Sequence, residues 1–334
     1  MRQLVSILGR LLCVFLLLLA PTGALAKQKI LVIQSYHQEH PWDKSYIEGL
    51  ESVLGEHYQL LYFQMDTKRI PRSRHRSRGE LAWQRYLDVK PDLVILGDDN
   101  ALRYLGQRFA KTLVPVVYLG INNNPRRYHA HQRDNITGVL ERPLIKRSIS
   151  SIKPLFPNGL NRMLILFDDG ITAKTVLQEI FGGDTQLRVS GVDVELRLIS
   201  RWDTWQQAVN TAKDEGFDAI AFGRYHTLRD DRNQYVDASK VITWSSQHTP
   251  LPPFGFWDFA VGKNKTIGGL VLFGYEQGRI AGEMAHTILT TDVIPQSLGP
   301  KTAEKGRYLF SRSQLERHHL TLPRKMANKA NFVE

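Results

Sequence analysis

The segment Ser35-Tyr36-His37-Gln38-Glu39-His40-Pro41-Trp42 gathers hydroxyl, imidazole, amide, carboxylate and indole groups within a short stretch. That set suits recognition of a small polar molecule, with Tyr36 or Trp42 stacking and Ser35 and His37 making polar contacts. The alternative is packing by the aromatics and a helix entry set by Pro41. His37 and His40 stand three apart, a spacing that serves a metal only with a third ligand, and none is identifiable. Gly97-Asp98-Asp99-Asn100 then places two carboxylates before a helix, as caps or as partners for a ligand amine. The same helix start suits an anionic ligand group, so the two ligand readings point to opposite ends of an amino-acid-like molecule. In Gly120-Ile121-Asn122-Asn123-Asn124 the glycine permits close backbone approach, and amides such as that of Asn122 donate or accept.

The later half repeats the pattern at Asp168-Asp169-Gly170, Ser200-Arg201-Trp202 and Gly223-Arg224-Tyr225. An arginine beside an aromatic suits a carboxylate or a planar ligand, so Arg224 and Tyr225 join Asp169 as candidates, with an ordinary surface role as the alternative. Phe254-Gly255-Phe256-Trp257-Asp258-Phe259 sets four aromatics around an acid. On a surface they would be costly, so they form core, line a pocket, or do both, and Trp257 and Asp258 are the candidates. Between Lys68 and Arg78 lie Lys68, Arg69, Arg72, Arg74, Arg76 and Arg78, with His75 among them. This run reads as a solvated loop or as a docking surface for an anionic partner.

These loops need rigid elements behind them. Lys29 to Ser35 is a strand-length apolar run, followed by a helix-patterned Asp43 to Leu54. Leu60–Phe63, Leu93–Leu96 and Val114–Leu119 continue as strands, with helices near Glu80–Leu87 and Ala101–Ala110. Past Ile136–Leu140 and the turn Pro157-Asn158-Gly159 the alternation resumes. Its strands are Met163–Phe167, Val192–Ile199, Ala219–Phe222 and Ile267–Phe273, and its helices Thr172–Phe181, Thr204–Glu215, Ser239–Gln247 and Glu276–Leu289. Continuous apolar strands alternating with amphipathic helices predict parallel sheets covered on both faces. The expected fold is α/β, two doubly wound Rossmann-like lobes with an interlobe ligand cleft. The expected boundaries are 27–140 for the first lobe, 141–300 for the second and 301–334 for a crossover and basic tail.

The chain has 334 residues, 42% of them hydrophobic and 23% charged, values of a globular protein with room for two domains. Arg2 and Arg10 precede the apolar run Leu11–Ala20, and Ala24-Leu25-Ala26 supplies small residues, the pattern of a secretory signal peptide cleaved after Ala26. An uncleaved anchor is the alternative, for which the run is short. Cys13, the only cysteine, falls inside that run, so no lipid attachment site is expected and the exported chain has no thiol. Removing residues 1–26 leaves 42 basic against 33 acidic residues, a net charge of +9. A basic periplasmic protein meets anionic membranes or acidic small molecules rather than nucleic acid.

No Gly-x-Ser-x-Gly elbow, P-loop or His-Glu-x-x-His is present, so no catalytic residue is assigned and no cofactor or metal is expected. Several motifs, in order, resemble those of the ABC-type substrate-binding proteins of the uncharacterised transport group, relatives of the type I periplasmic binding proteins. They are Ser35-Tyr36-His37 with Pro41-Trp42, Met65-Asp66-Thr67-Lys68-Arg69, Asp98-Asp99-Asn100-Ala101, Gly120-Ile121-Asn122, and Phe256-Trp257-Asp258-Phe259 followed by Gly274-Tyr275-Glu276-Gln277-Gly278-Arg279. They span roughly Lys29 to Thr290. The resemblance implies a non-catalytic, two-lobed binding protein that closes on a small solute, and it adds Asp66, Asn100 and Glu276 to the ligand-binding candidates. Ser-rich cleft loops, carried by relatives thought to take aromatic amino acids, are not found here. The implied partners are an ABC permease and ATPase, or else a membrane histidine kinase or diguanylate cyclase that the protein serves as a periplasmic sensor. A monomer is expected.

Overall fold

The computed structural model describes residues 26–128, 134–303 and 305–334. The export signal expected over residues 1–26 therefore lies, apart from Ala26, outside the described residues. The first series of elements is β1 (Lys29–Gln34), α1 (Pro41–Leu54), β2 (Gln59–Gln64), α2 (His75–Val89), β3 (Leu93–Gly97), α3 (Asp98–Phe109), β4 (Val116–Ile121) and β5 (Ile136–Leu140). The second is α4 (Ile145–Ile152), β6 (Arg162–Phe167), α5 (Ile171–Glu179), β7 (Gln186–Val189), β8 (Val192–Leu198), α6 (Trp202–Thr211), β9 (Ala219–Phe222), α7 (Ala238–His248), β10 (Pro253–Gly255) and β11 (Gly268–Val271). Then follow α8 (Gly274–Thr290), β12 (Lys301–Thr302), β13 (Arg307–Ser311), α9 (Arg312–Arg317), α10 (Arg324–Ala327) and β14 (Ala330–Val333).

Ile30, Leu31, Val32 and Ile33 are all fully buried, which is possible only for a strand covered on both faces. Their alternation divides them: Ile30 and Val32 join the core that holds Trp42, Tyr46 and Leu50 of α1, while Leu31 and Ile33 join Leu102, Leu105 and Phe109 of α3. The first sheet has strand order β12-β5-β4-β3-β1-β2 and is parallel throughout. The second, β10-β9-β6-β8-β7, is parallel except for β7 against β8. This is the expected α/β architecture of two doubly wound lobes, with the loops at the carboxyl ends of β1, β3 and β4 in one and of β6 and β9 in the other.

The lobes do not divide at 140 and 300, the boundaries the chain pattern predicts. Helix α8 packs along α1 and against β4, and β12 pairs with β5, so both complete the first lobe. Periodicity marks α8 as a helix with one buried face and does not specify which sheet that face meets. The basic tail is also ordered: β13 pairs with β11 and with β14 in a separate three-stranded sheet, and Phe310 is fully buried. The chain thus passes between the lobes three times: after β5, between β11 and α8, and between β12 and β13.

The α1–α8 contact is close because Gly274, Gly278 and Gly282 recur every fourth residue on one face of α8. A Cβ on Gly278 would lie 1.9 Å from the Tyr46 carbonyl oxygen, and one on Gly49 would lie 2.1 Å from the Tyr275 carbonyl oxygen. Backbone cannot yield as a side chain tip can. Gly278→Val should therefore cost about 3 kcal/mol or more in a urea melt, at the upper end of overpacking effects, whereas Gly299→Val should not produce this helix-separation cost because nothing lies within 4 Å of its Cβ position.

Candidate functional site

Three loops of the first lobe converge. The Tyr36 hydroxyl donates to Asp98 Oδ1 at 2.8 Å, joining the end of β1 to the start of α3. The Lys68 ammonium, on the loop after β2, lies 4.0 Å from the centre of the Tyr36 ring and donates to His40 Nε2 at 2.8 Å. With that nitrogen accepting, the other ring nitrogen of His40 carries the proton and faces Asp43 Oδ2 at 3.3 Å. Asp43 is fully buried and accepts from the Tyr46 hydroxyl at 2.9 Å. Asp66 and Asp98 adopt left-handed backbone, with φ of 57° and 71°, a costly conformation tolerated best by Asp and Asn outside glycine.

The opposing wall comes from the second lobe and the first crossing. Glu141, immediately after β5, is buried and accepts from Trp257 Nε1 at 2.7 Å and from Asn122 Nδ2 at 3.0 Å, so one carboxylate ties the second lobe to a first-lobe loop. Arg224, after β9, has its guanidinium 5.5 Å from the Phe259 ring centre and 5.8 Å from that of Trp257. Among the described residues that guanidinium has no hydrogen-bond partner. Asp168 holds the same loop by accepting backbone N–H groups of His226 and Thr227 at 2.9 and 3.1 Å.

Lys68 and Arg224 act on each other across the walls through charge alone, with no hydrogen bond between them among the described residues. Burial, then repulsion by Arg224, pulls the Lys68 ammonium down to about 7. Burial would lower the Arg224 guanidinium too, but the charges of Glu141, Tyr36, Asp98 and Asp168 outweigh it and hold it fully protonated. Burial, followed by Lys68 and Arg224, pulls His40 down to about 2, and burial followed by Arg224 lowers His226, so both imidazoles are neutral. Burial raises Glu141 to about 7 and raises Asp98, with the nearby cations opposing the rise in each. Arg224, fully charged, and Lys68, whose ammonium titrates near neutral pH, thus stand on different lobes within electrostatic reach of each other, at a partly buried gap whose carboxylates are already engaged by Tyr36, Trp257 and Asn122.

The structure brings Tyr36, His37, Asp66, Asp98, Asn122, Arg224 and Trp257 to or beside this gap, although Trp257 is fully buried and reaches it only through its indole nitrogen. Other candidates have scaffold roles. Ser35 Oγ accepts from Ala101 N at 2.8 Å and so caps α3, the role expected of the aspartates. Asp99 instead accepts from the backbone of Asn122 and Asn123, and Asn100 donates to Thr67 Oγ1 at 2.9 Å. Trp42 is core. Tyr225 turns into the second lobe's core, Asp258 pairs with Arg307 at 2.8 Å, and Glu276 pairs with Arg279 at 2.7 Å on α8. Asp169 is exposed, and its neighbour Asp168 is the buried member of the pair.

Lys68, His40, Glu141, Asp168, His226 and Phe259 complete the cluster without having been singled out as ligand groups. For Lys68 the signal was present but merged with the arginine run. That run divides: Arg69 pairs with Asp66 at 2.6 Å, Arg78 donates to the Gln64 and Met65 carbonyls, and Arg72, Arg74 and Arg76 are exposed. Among the described residues no group of three His, Cys, Asp or Glu side chains is arranged to hold a metal. A cavity of about 960 Å³, lined by Tyr118, Leu140 and Arg142 among others, lies beside the crossings and shares no residue with the cluster.

His40 supplies a pH test. Its folded pKa near 2 lies below the ordinary 6.5, so the unfolded chain binds the proton and stability is lost as pH falls through 6.5. Against the non-titrating variant His40→Gln, the wild type should lose about 2 kcal/mol between pH 7 and pH 5 in parallel urea melts, and parallel curves would refute a buried neutral imidazole.

No family model matches the chain, and no curated protein matches it. Solved structures do. An ABC domain from Streptococcus pneumoniae in complex with L-Trp shares 17% identity at a TM-score of 0.64, over 92% of this chain and 100% of that one. A conserved domain protein from Vibrio cholerae shares 15% at 0.63, over 92% and 100%. A substrate binding protein with adhesive properties from Clostridium difficile, in ligand-free, open form, shares 13% at 0.61, over 92% and 99%. The chain has the fold of the type I periplasmic binding proteins and of ABC-transporter solute-binding proteins.

Proposed function

We propose that this protein is an extracytoplasmic solute-binding protein that closes two lobes on a small organic anion and delivers it to an ABC permease and ATPase. The observation that carries the anion is the confrontation of Lys68 and Arg224 from opposite lobes. Closure moves two like charges toward each other where water is scarce, and the nearby carboxylates are held by other groups. A carboxylate or phosphate between them relieves that repulsion and gains charge-assisted hydrogen bonds. Phe259, half-buried beside Arg224, and the edge of the Tyr36 ring beside Lys68 offer aromatic surface for the remainder of the solute. A structural neighbour holds L-Trp, itself a carboxylate-bearing molecule.

Export by cleavage after Ala26 belongs to the same proposal, as does the choice of importer over a membrane sensor. No helix among the described residues is long and apolar enough to cross a membrane.

A thermal-shift screen of residues 27–334 against amino acids, organic acids, phosphorylated solutes, sugars and amines tests the reading. An anionic solute at one hundred times its Kd should raise the Tm by about 5 °C, while neutral sugars and amines should not. Lys68→Met and Arg224→Met should each abolish the shift while the free protein still unfolds in one cooperative transition, because each removes one of the two charges that meet the anion. A shift produced by neutral solutes and retained in both variants would reject an anion site. Trp257→Ala, by contrast, should cost about 4 kcal/mol of stability by emptying core volume, whether or not a solute is present.

A further inference from the structure

The cavity beside the crossings has its own chemistry. Tyr118 and Leu140 come from the first sheet, Glu179 and Ile180 from the end of α5 in the second lobe, and Pro300 from the segment leading to β12. Its volume of about 960 Å³ is in the range of sites for drug-sized ligands. Arg126, Arg142 and Arg147 stand in a lining that mixes apolar side chains such as Ile136, Leu140 and Ile180 with neutral polar ones such as Thr137 and Gln296. The one carboxylate among the described lining residues, Glu179, is engaged by Arg142 at 2.5 Å. Arg142 is further fixed by donating to the carbonyls of Ile121, Asn122 and Glu141 at 2.8 to 3.0 Å. The Arg126 guanidinium at the mouth has no hydrogen-bond or ion-pair partner among the described residues.

We propose that this cavity is a second ligand site, for an organic anion with an apolar body, whose occupancy favours the closed arrangement of the lobes. The anionic group pairs with Arg126, and the apolar body lies against Leu140 and Ile180. An occupant touching Leu140 on one lobe and Ile180 on the other stabilises the arrangement in which both can be touched. The path to the cleft is short, because Glu141 and Arg142 are consecutive: Glu141 points to Trp257 and Asn122, and Arg142 points to the cavity and Glu179. By linkage, a cleft solute and a cavity ligand then raise each other's affinity by the same factor.

The probe is 8-anilinonaphthalene-1-sulfonate, a sulfonate with an apolar body, titrated at pH 7 into folded wild type and variants by fluorescence and calorimetry. The account expects saturable binding of one molecule. It expects at least tenfold weaker binding in Arg126→Glu, which changes an exposed side chain, and in Ile180→Trp, which fills the cavity. It expects saturable one-to-one binding to persist in Arg224→Met, whose side chain lies outside the cavity. Non-saturable binding, binding indifferent to both cavity variants, or binding lost in Arg224→Met alone would overturn the second site. Failure of the cleft proposal is read separately, from the thermal shifts of small carboxylates, and leaves these comparisons unaffected.

Discussion

Two cations carried by different lobes, Lys68 and Arg224, meet across a gap in which neither has a hydrogen-bonded carboxylate partner. Much of the surrounding structure can be understood as managing that constraint. Tyr36 places its ring beneath the Lys68 ammonium and gives its hydroxyl to Asp98, so the lysine has an aromatic face and a nearby negative charge without a salt bridge. His40, kept neutral, accepts from the lysine rather than competing with it for a counter-charge. On the other wall Trp257 and Phe259 lie beside Arg224, and Glu141 stands off it while bonded to Trp257 and Asn122. Attraction to the acids keeps both cations in place, and the repulsion that remains between them falls when an anion lies between them. A solute that supplies that charge gains most when the lobes are closed, which couples recognition to movement.

The first crossing has a related role. A carboxylate at 141 and a guanidinium at 142 point to opposite sides of the same chain segment, one tied to the second lobe through Trp257 and the other through Glu179. The two ties differ in setting: Trp257 is wholly buried, whereas Glu179 is an exposed side chain at the end of α5. Motion of the lobes must therefore stretch or rearrange contacts on both sides of the segment at once. The close α1–α8 seam, in contrast, is made backbone to backbone within the first lobe and moves as one piece with it.

Much of this architecture is legible in the chain because burial on both faces leaves strands such as Ile30–Ile33 and Met163–Phe167 continuously apolar. Helices α1, α5, α7 and α8 fall within a few residues of their amphipathic patterns for the same reason, a water-facing side opposite a core-facing one. What a one-dimensional pattern does not carry is which core a face joins. That is why α8 and β12 belong to the first lobe although they follow the second in sequence, and why the basic tail is a paired strand and not a loose end. The site shows the same division. Loop positions at strand ends identify the neighbourhoods of Tyr36, Asp98 and Arg224, but the choice of Asp168 over Asp169 depends on which of two adjacent side chains turns inward. Lys68 is hidden among arginines of identical charge, and only the tertiary fold separates the one cation aimed at the gap from those that face water or pair locally.

The central claim is that Lys68 and Arg224 act on one anionic group, and a double-mutant cycle on solute affinity addresses it most directly. Isothermal titration of the best-binding carboxylate into wild type, Lys68→Met, Arg224→Met and the double variant gives the coupling energy between the two positions. The account predicts strong non-additivity, with the double variant binding scarcely more weakly than either single one, because losing either cation already forfeits the bridged anion. Losses that simply add, or a solute bound equally well by all four proteins, would contradict it.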